Sequence, residues 1–100
     1  MTDEEPKPML PMVHLNGTSI GQLIEGYQQA ALAVTSAVRA LTESAPNGRD
    51  YYPMGEQAMH RALTEYMSRL SRLVSVEKEL TAIYAALVDM EDERRRNRQG

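Results

Sequence analysis

Apolar residues recur at alternating steps of three and four through two long stretches of the chain. In the first stretch they are Ile20, Ile24, Tyr27, Ala31, Val34, Val38 and Leu41. This spacing places them on one face of an α-helix, as the seam of a heptad repeat. Ser19 with Gln22 three residues later is typical of a capping box at a helix N-terminus. The pattern therefore predicts a first helix over about residues 20–44.

The second stretch starts near residues 53–56 and continues to about residue 94. Its seam is formed by Met59, Leu63, Tyr66, Leu70, Leu73, Leu80, Tyr84 and Leu87. A helix of about 40 residues is ~60 Å long. Glu77 occupies the seam position between Leu73 and Leu80. The sequence leaves three alternatives open for this glutamate: it fixes the register of the helices, it pairs with a basic group, or it faces solvent where the helices separate.

A short connector between the two patterns predicts an all-α fold, an antiparallel hairpin of two long helices with an extended N-terminal segment. Residues 1–11 are an acidic, proline-rich lead that we expect to be disordered. The hairpin domain covers residues 12–93, and residues 94–100 form an arginine-rich tail. If Leu41 pairs with Met59, the numbers of facing residues total about 100, so the second helix overhangs the first beyond about residue 80.

The first helix carries a second row of small residues with the same periodicity. The row consists of Gly26, Ala30, Ala33, Ala37 and Ala40. Arg39 is the single charged residue between Gly26 and Thr42, whereas a surface helix normally has a charged outer face. We expect this row to pack on another subunit, so that the hairpins form a dimer or a larger bundle. The alternative is an alanine-rich helix whose outer face is hydrated.

The predicted overhang of the second helix is the other candidate oligomer interface. Its apolar residues are Leu80, Ile83, Tyr84 and Leu87. Soluble monomers rarely expose a patch of this kind. We therefore expect the overhang to be covered by the N-terminal segment, by a second subunit, or by both.

Composition and charge exclude several classes of function. The formal net charge is −3 and the chain has no cysteine, with a pI near 5.3. We therefore expect no general nucleic-acid binding and no thiolate metal site. The sequence has no membrane span or signal peptide, which predicts a cytoplasmic protein, in the host cell if a phage encodes it. His14 and His60 have no ligand or catalytic spacing. We therefore expect no enzymatic activity, no metal and no cofactor.

The connector is the main candidate site because it holds more chemistry than a turn requires. Pro46, Asn47 and Gly48 already form a turn, yet the polar and aromatic residues Arg49, Asp50, Tyr51 and Tyr52 follow. An arginine fork suits phosphate or carboxylate, and tyrosines stack on bases. Arg61 lies two turns into the second helix, and we expect it to point back toward the same end. The alternative interpretation is that Tyr51 packs the hairpin end and the charged residues cap helices.

A second polar cluster precedes the first helix and includes His14, Asn16 and Thr18. It lies ~37 Å from the connector if 25 residues are helical, so the two clusters do not meet in one chain. In an antiparallel dimer formed through the small residues, the connector of one subunit meets this cluster of the other. This arrangement predicts two composite pockets per dimer.

Two segments, His14-Leu15-Asn16-Gly17-Thr18-Ser19 and the stretch from Pro46 to Pro53, resemble those of a group of small phage and prophage helical proteins without an assigned role. The likeness covers about residues 12–90 and implies a phage origin and a helical hairpin. By analogy of size and helicity, the chain is also similar to small phage sponges that sequester cyclic-nucleotide immune signals as oligomers.

We therefore expect an oligomeric protein that binds a small, nucleotide-like anion and sequesters a host immune signal. The alternative is a structural or adaptor protein, or an inhibitor of a host protein, that acts through protein–protein contacts. The sequence names neither the ligand nor the host partner.

Overall fold

The computed structural model describes residues 7–11 and 19–99, without the side chains of Tyr52 and Gln99. The long helix α1 spans Ile20–Glu43, the short helix α2 spans Gly48–Tyr51, a 3-10 turn spans Tyr52–Met54, and α3 spans Glu56–Gln99. All regular structure in these described residues is helical, and the two long helices pack against each other. The all-α hairpin is confirmed. None of the described helices is long and apolar enough to cross a membrane.

The start of α1 is fixed by the predicted capping box. The Gln22 amide donates to Ser19 Oγ at 3.2 Å, and the Ser19 amide donates to Gln22 Oε1 at 3.3 Å. These reciprocal bonds satisfy donors that have no partner inside the helix. The prediction from the serine–glutamine spacing is therefore confirmed at both residues.

Two local features shape the connector: a cap starts α2, and a glycine precedes α3. Asn47 caps α2, because its Oδ1 accepts from the Arg49 amide at 3.0 Å and its carbonyl accepts from the Asp50 amide at 3.0 Å. Gly55 precedes α3 with a φ of 99°, a conformation that glycine adopts without steric cost. The segment between the long helices is therefore a folded element rather than a simple bend.

The chain divides into two compact units, one formed by Met1–Leu32 with Lys78–Gly100 and one formed by Ala33–Glu77. Each unit takes a part of both long helices. In the Ala33–Glu77 unit, Tyr66 is buried, and Val34, Val38, Leu70 and Leu73 are half-buried along the seam. Leu63 departs from the predicted seam, because 39% of its surface is exposed.

The register of the hairpin differs from the sequence prediction. The Thr35 hydroxyl donates to Glu77 Oε2 at 2.6 Å, whereas the predicted register placed Thr35 opposite residue 65, about three turns earlier on α3. The connector explains the shift, because Tyr51 and Met54 lie beside the first turns of α3, where they share a groove with Ala58 and Ala62. Each residue of α1 therefore faces a part of α3 that lies later in the sequence than it would if the two helices were joined by a simple turn.

The Met1–Leu32 and Lys78–Gly100 unit corrects the predicted overhang. Leu87 is fully buried within the single chain, and Ile83 and Ile20 are also buried. Ile20 at the start of α1 lines one cavity together with Met90, so α1 reaches this part of α3. Ile83 and Leu87, which the sequence left to be covered by the N-terminal segment, by a second subunit or by both, are therefore already buried within the single chain.

The two remaining overhang residues, Leu80 and Tyr84, are half-buried. Residues 7–11 have no regular secondary structure, and Pro8 and Leu10 line a cavity with Ala82 and Ala86 of α3. The expected extended segment over residues 12–15 lies outside the described residues. Residues 7–11 thus lie against α3.

The row of small residues on α1 is open to solvent in the single chain. Gly26, Ala33, Ala37 and Ala40 are exposed and Ala30 is half-buried. This exposure agrees with both interpretations of the row, a hydrated face or a face that another subunit covers. Association through the row therefore stays a prediction.

Candidate functional site

A groove of about 390 Å³ lies where the connector meets α3, within the Ala33–Glu77 unit. Its volume is within the range of roughly 300–1,000 Å³ typical of small-molecule sites. It is lined by Leu41, Ser44, Pro46, Tyr51, Met54, Ala58, Arg61, Ala62, Glu65, Tyr66 and Arg69.

The connector wall of the groove is positioned by local backbone structure. Asn47 starts α2 through its cap, and one turn of helix then places Tyr51 at the groove. The 3-10 turn continues to Met54, and Gly55 redirects the backbone into α3. Tyr51 is half-buried, so its ring is held by the groove while part of it stays accessible to a ligand.

The α3 wall follows from helical periodicity. Arg61, Glu65 and Arg69 are spaced four residues apart, so they share one face of the helix. Arg61 Nε donates to Glu65 Oε1 at 2.9 Å, and both side chains are more than half exposed. An exposed pair of this kind contributes little to stability, about 0.3–0.5 kcal/mol. Arg69 has no ion pair with any residue that the structure describes.

The charge balance of the groove favours an anion. Its lining holds two guanidinium groups and one carboxylate, although the whole chain carries a net charge of −3. Since Glu65 partly neutralises Arg61, the strongest remaining positive charge is that of Arg69. Tyr66 is 7% exposed, so its ring forms the floor beside the more accessible Tyr51.

The predicted ligand-binding residues separate into three groups. Tyr51 and Arg61 lie together in the groove lining. Arg49 and Asp50 are exposed on α2 and are not part of that lining. The Tyr52 side chain, together with His14, Asn16 and Thr18, lies outside the described residues, so the composite pocket of a dimer stays a prediction.

Sequence reasoning missed Arg69 as a groove residue. The missed signal is the regular spacing from Arg61 through Glu65 to Arg69, which already places three charged residues on one helical face. Met54 and Tyr66 were also missed, since their place in the groove depends on the fold of the connector and on the register.

The other unit contains a cavity of about 440 Å³ between the N-terminal segment and α3. It is lined by Leu10, Pro11, Ile20, Met90, Glu93, Arg94 and Asn97. The neighbouring arginines of the tail are exposed, and Arg95 Nε donates to Glu91 Oε1 at 3.2 Å. The cavity is continuous with the packing of residues 7–11 and has fewer charged groups than the connector groove.

Neither metal binding nor similarity to known proteins identifies the site. Within the described ranges, no three histidine, cysteine or acidic side chains are grouped so that they would hold a metal ion. The chain matches no protein-family model, no curated protein and no solved structure. The chemistry of the groove is therefore the evidence on which a function can be argued.

Proposed function

We propose that this protein binds a small anion carrying an aromatic ring, such as a nucleotide, in the connector groove. The observation that carries the proposal is the meeting of Tyr51, from the connector, with Arg61 and Arg69 of α3 in one groove. Aromatic side chains stack on bases, and guanidinium groups bind phosphate through paired hydrogen bonds.

The distribution of polar groups suggests how such a ligand lies. Arg61 and Arg69 are eight residues apart on α3, which corresponds to ~12 Å along the helix axis. Because Arg61 is already bound to Glu65, Arg69 is the stronger candidate for a phosphate. The base would then lie nearer the connector, against the half-buried ring of Tyr51.

Binding without turnover fits a sequestering role. A protein of this kind lowers the free concentration of a nucleotide signal in proportion to its own abundance and affinity. This is the role expected from the analogy with phage sponges, and the net positive lining of an otherwise acidic chain supports it.

Titration calorimetry tests the proposal with adenosine monophosphate and a cyclic dinucleotide as probes, and with inorganic phosphate and adenosine as their separate halves. We expect binding of the nucleotides, and a loss of about tenfold in affinity for Tyr51→Ala, equivalent to ~1.4 kcal/mol. Arg69→Ala should lose at least as much, because it removes the unpaired cation.

Arg72→Ala is the matched control. Arg72 follows Arg69 by three residues on α3, but it is not part of the groove lining, and its Nε donates to the Ser68 carbonyl at 3.4 Å. The affinity of the Arg72→Ala variant for the nucleotides should stay within about twofold of that of the unchanged protein. Absence of heat with both nucleotides, or equal losses in Arg69→Ala and Arg72→Ala, would refute the proposed site and leave the adaptor function as the better account.

A further inference from the structure

Glu65 is the one carboxylate among the described residues that line the connector groove, and it lies between the two arginines of the α3 wall. It is one helical turn, ~6 Å along the axis, from Arg61 on one side and from Arg69 on the other. Its side chain is 51% exposed, and it immediately precedes the buried Tyr66 of the groove floor. A carboxylate this close to a bound phosphate repels it, so the binding of an anion alone gives Glu65 no role.

The Glu65 carboxylate has acceptor capacity left for a ligand. Arg61 Nε donates to its Oε1 atom at 2.9 Å, and its Oε2 atom accepts no hydrogen bond from the part of the chain that the structure describes. The two oxygens of a carboxylate together accept about four hydrogen bonds. Because a carboxylate has no proton to donate, the ligand group that it binds must be a hydrogen-bond donor.

Among the nucleic-acid bases, guanine best matches a carboxylate acceptor. Its Watson–Crick edge has two neighbouring donors, the N1–H group and the N2 amino group, which reach both oxygens of one carboxylate. Adenine and cytosine place an amino donor beside a ring-nitrogen acceptor, whose lone pair the carboxylate repels. Uracil and thymine place their single N3–H group between two carbonyl acceptors. Proteins read unpaired bases by hydrogen bonds to this edge while an aromatic ring stacks on the base, and hydrogen bonds to a charged acceptor are the stronger ones.

We infer that Glu65 makes the connector groove selective for guanine nucleotides. The inference rests on the proposed function, since it assigns the base of the nucleotide that the groove binds. The Tyr51 ring stacks on the guanine, Glu65 accepts from its N1–H and N2 amino groups, and Arg69 binds the phosphate. This assignment follows the order of the groups along α3, where Glu65 is closer to the connector than Arg69 is.

Titration calorimetry with guanosine, inosine and adenosine monophosphates tests the inference, because the three ligands share the ribose and the phosphate and differ in the base edge. Hypoxanthine, the base of inosine, keeps the N1–H group and lacks the N2 amino group, whereas adenine lacks both donors. We expect guanosine monophosphate to bind at least about tenfold more tightly than adenosine monophosphate, with inosine monophosphate between them.

The Glu65→Gln variant shows whether this residue carries the preference. The substitution keeps the shape and replaces one acceptor oxygen by an amide donor, so that the side chain pairs with the edge of either purine. The ratio of the two affinities should therefore fall from about tenfold to within about twofold, whatever the lost negative charge adds to phosphate binding in general. Glu43→Gln removes the same charge at an exposed residue of the same unit that is not part of the groove lining, and it should keep the ratio of the unchanged protein.

The possible failures of this test are distinguishable. Equal affinities of the unchanged protein for the three nucleotides would overturn the guanine assignment and leave the proposed function standing. A preference for guanine that persists in Glu65→Gln, or that is lost equally in Glu43→Gln, would overturn the role of Glu65. If none of the three nucleotides binds, the inference and the proposed function fail together.

Discussion

Glu77 is the residue whose role the sequence left open, and its partner resolves the alternatives. Its carboxylate accepts a hydrogen bond from the Thr35 hydroxyl across the helix pair at 2.6 Å, and the side chain is half-buried. Among the residues that the structure describes, Glu77 therefore pairs with no basic group, and it does not simply face solvent. This bond joins the two helices in one register at the edge of the seam, where Thr35 is exposed, so it contributes modestly to that register.

The Thr35 contact predicts the effect of a nearly isosteric substitution. Thr35→Val removes the donor and keeps the shape, so the free energy of unfolding should fall by about 0.5–1.5 kcal/mol in urea titrations. Adding Glu77→Leu should recover most of this loss, because it replaces the half-buried carboxylate that has lost its donor by an apolar side chain.

Thr42→Val is the matched control, since the Thr42 hydroxyl donates to the Val38 carbonyl of its own helix and is exposed. Its unfolding free energy should change by no more than about 0.5 kcal/mol. Equal effects of Thr35→Val and Thr42→Val would show that the contact between the helices has no special role.

At the scale of elements, the capping box of α1 was predicted from two residues and is present in the structure. Ser19→Ala removes the side-chain acceptor of the Gln22 amide and should lower the unfolding free energy by about 1 kcal/mol. Ser19→Asp should retain most of the stability, because aspartate is an equally good N-cap. Ser36→Ala, in the middle of α1, is the control and should be neutral or slightly stabilising, as measured by thermal unfolding.

The two long helices and the start of α1 could be predicted because each depends on residues close in sequence. The seam from Ile20 to Leu41 requires only the period of the helix, and the start of α1 requires only Ser19 and Gln22. The end of α1 was placed at residue 44 and lies at Glu43, and α3 extends to Gln99, beyond the predicted residue 94.

The register and the groove could not be predicted because they depend on the path of the connector. Counting residues from Leu41 to Met59 assumes that the chain turns at once from one helix into the other. Instead, Asn47 starts a short helix and Gly55 ends the 3-10 turn that follows it, so the connector lies along the start of α3. The assignment of Arg49 rather than Arg69 as the groove cation follows from the same assumption.

At the scale of the whole molecule, few large apolar side chains are fully buried among the described residues. Leu87 is the one fully buried large side chain among the described residues, while Leu32, Leu63 and Met67 remain exposed. Small domains with so little core commonly gain stability by association. This is the reason to expect that the stability of the protein rises with its concentration, as it does for obligate oligomers.

The pairing of α1 with α3 forms the groove and determines which helix faces are exposed. The chain has no cysteine, so two introduced cysteines carry the only thiols available to a cross-linker. With a cross-linker that spans about one helix–helix distance, ~8–10 Å, the pair Thr35→Cys and Glu77→Cys should join within one chain in dilute solution, as read by peptide mass. Residue 65 lies ~18 Å from residue 77 along α3, so the pair Thr35→Cys and Glu65→Cys should not be joined. Efficient joining of Thr35→Cys to Glu65→Cys, with none to Glu77→Cys, would contradict this pairing of the helices.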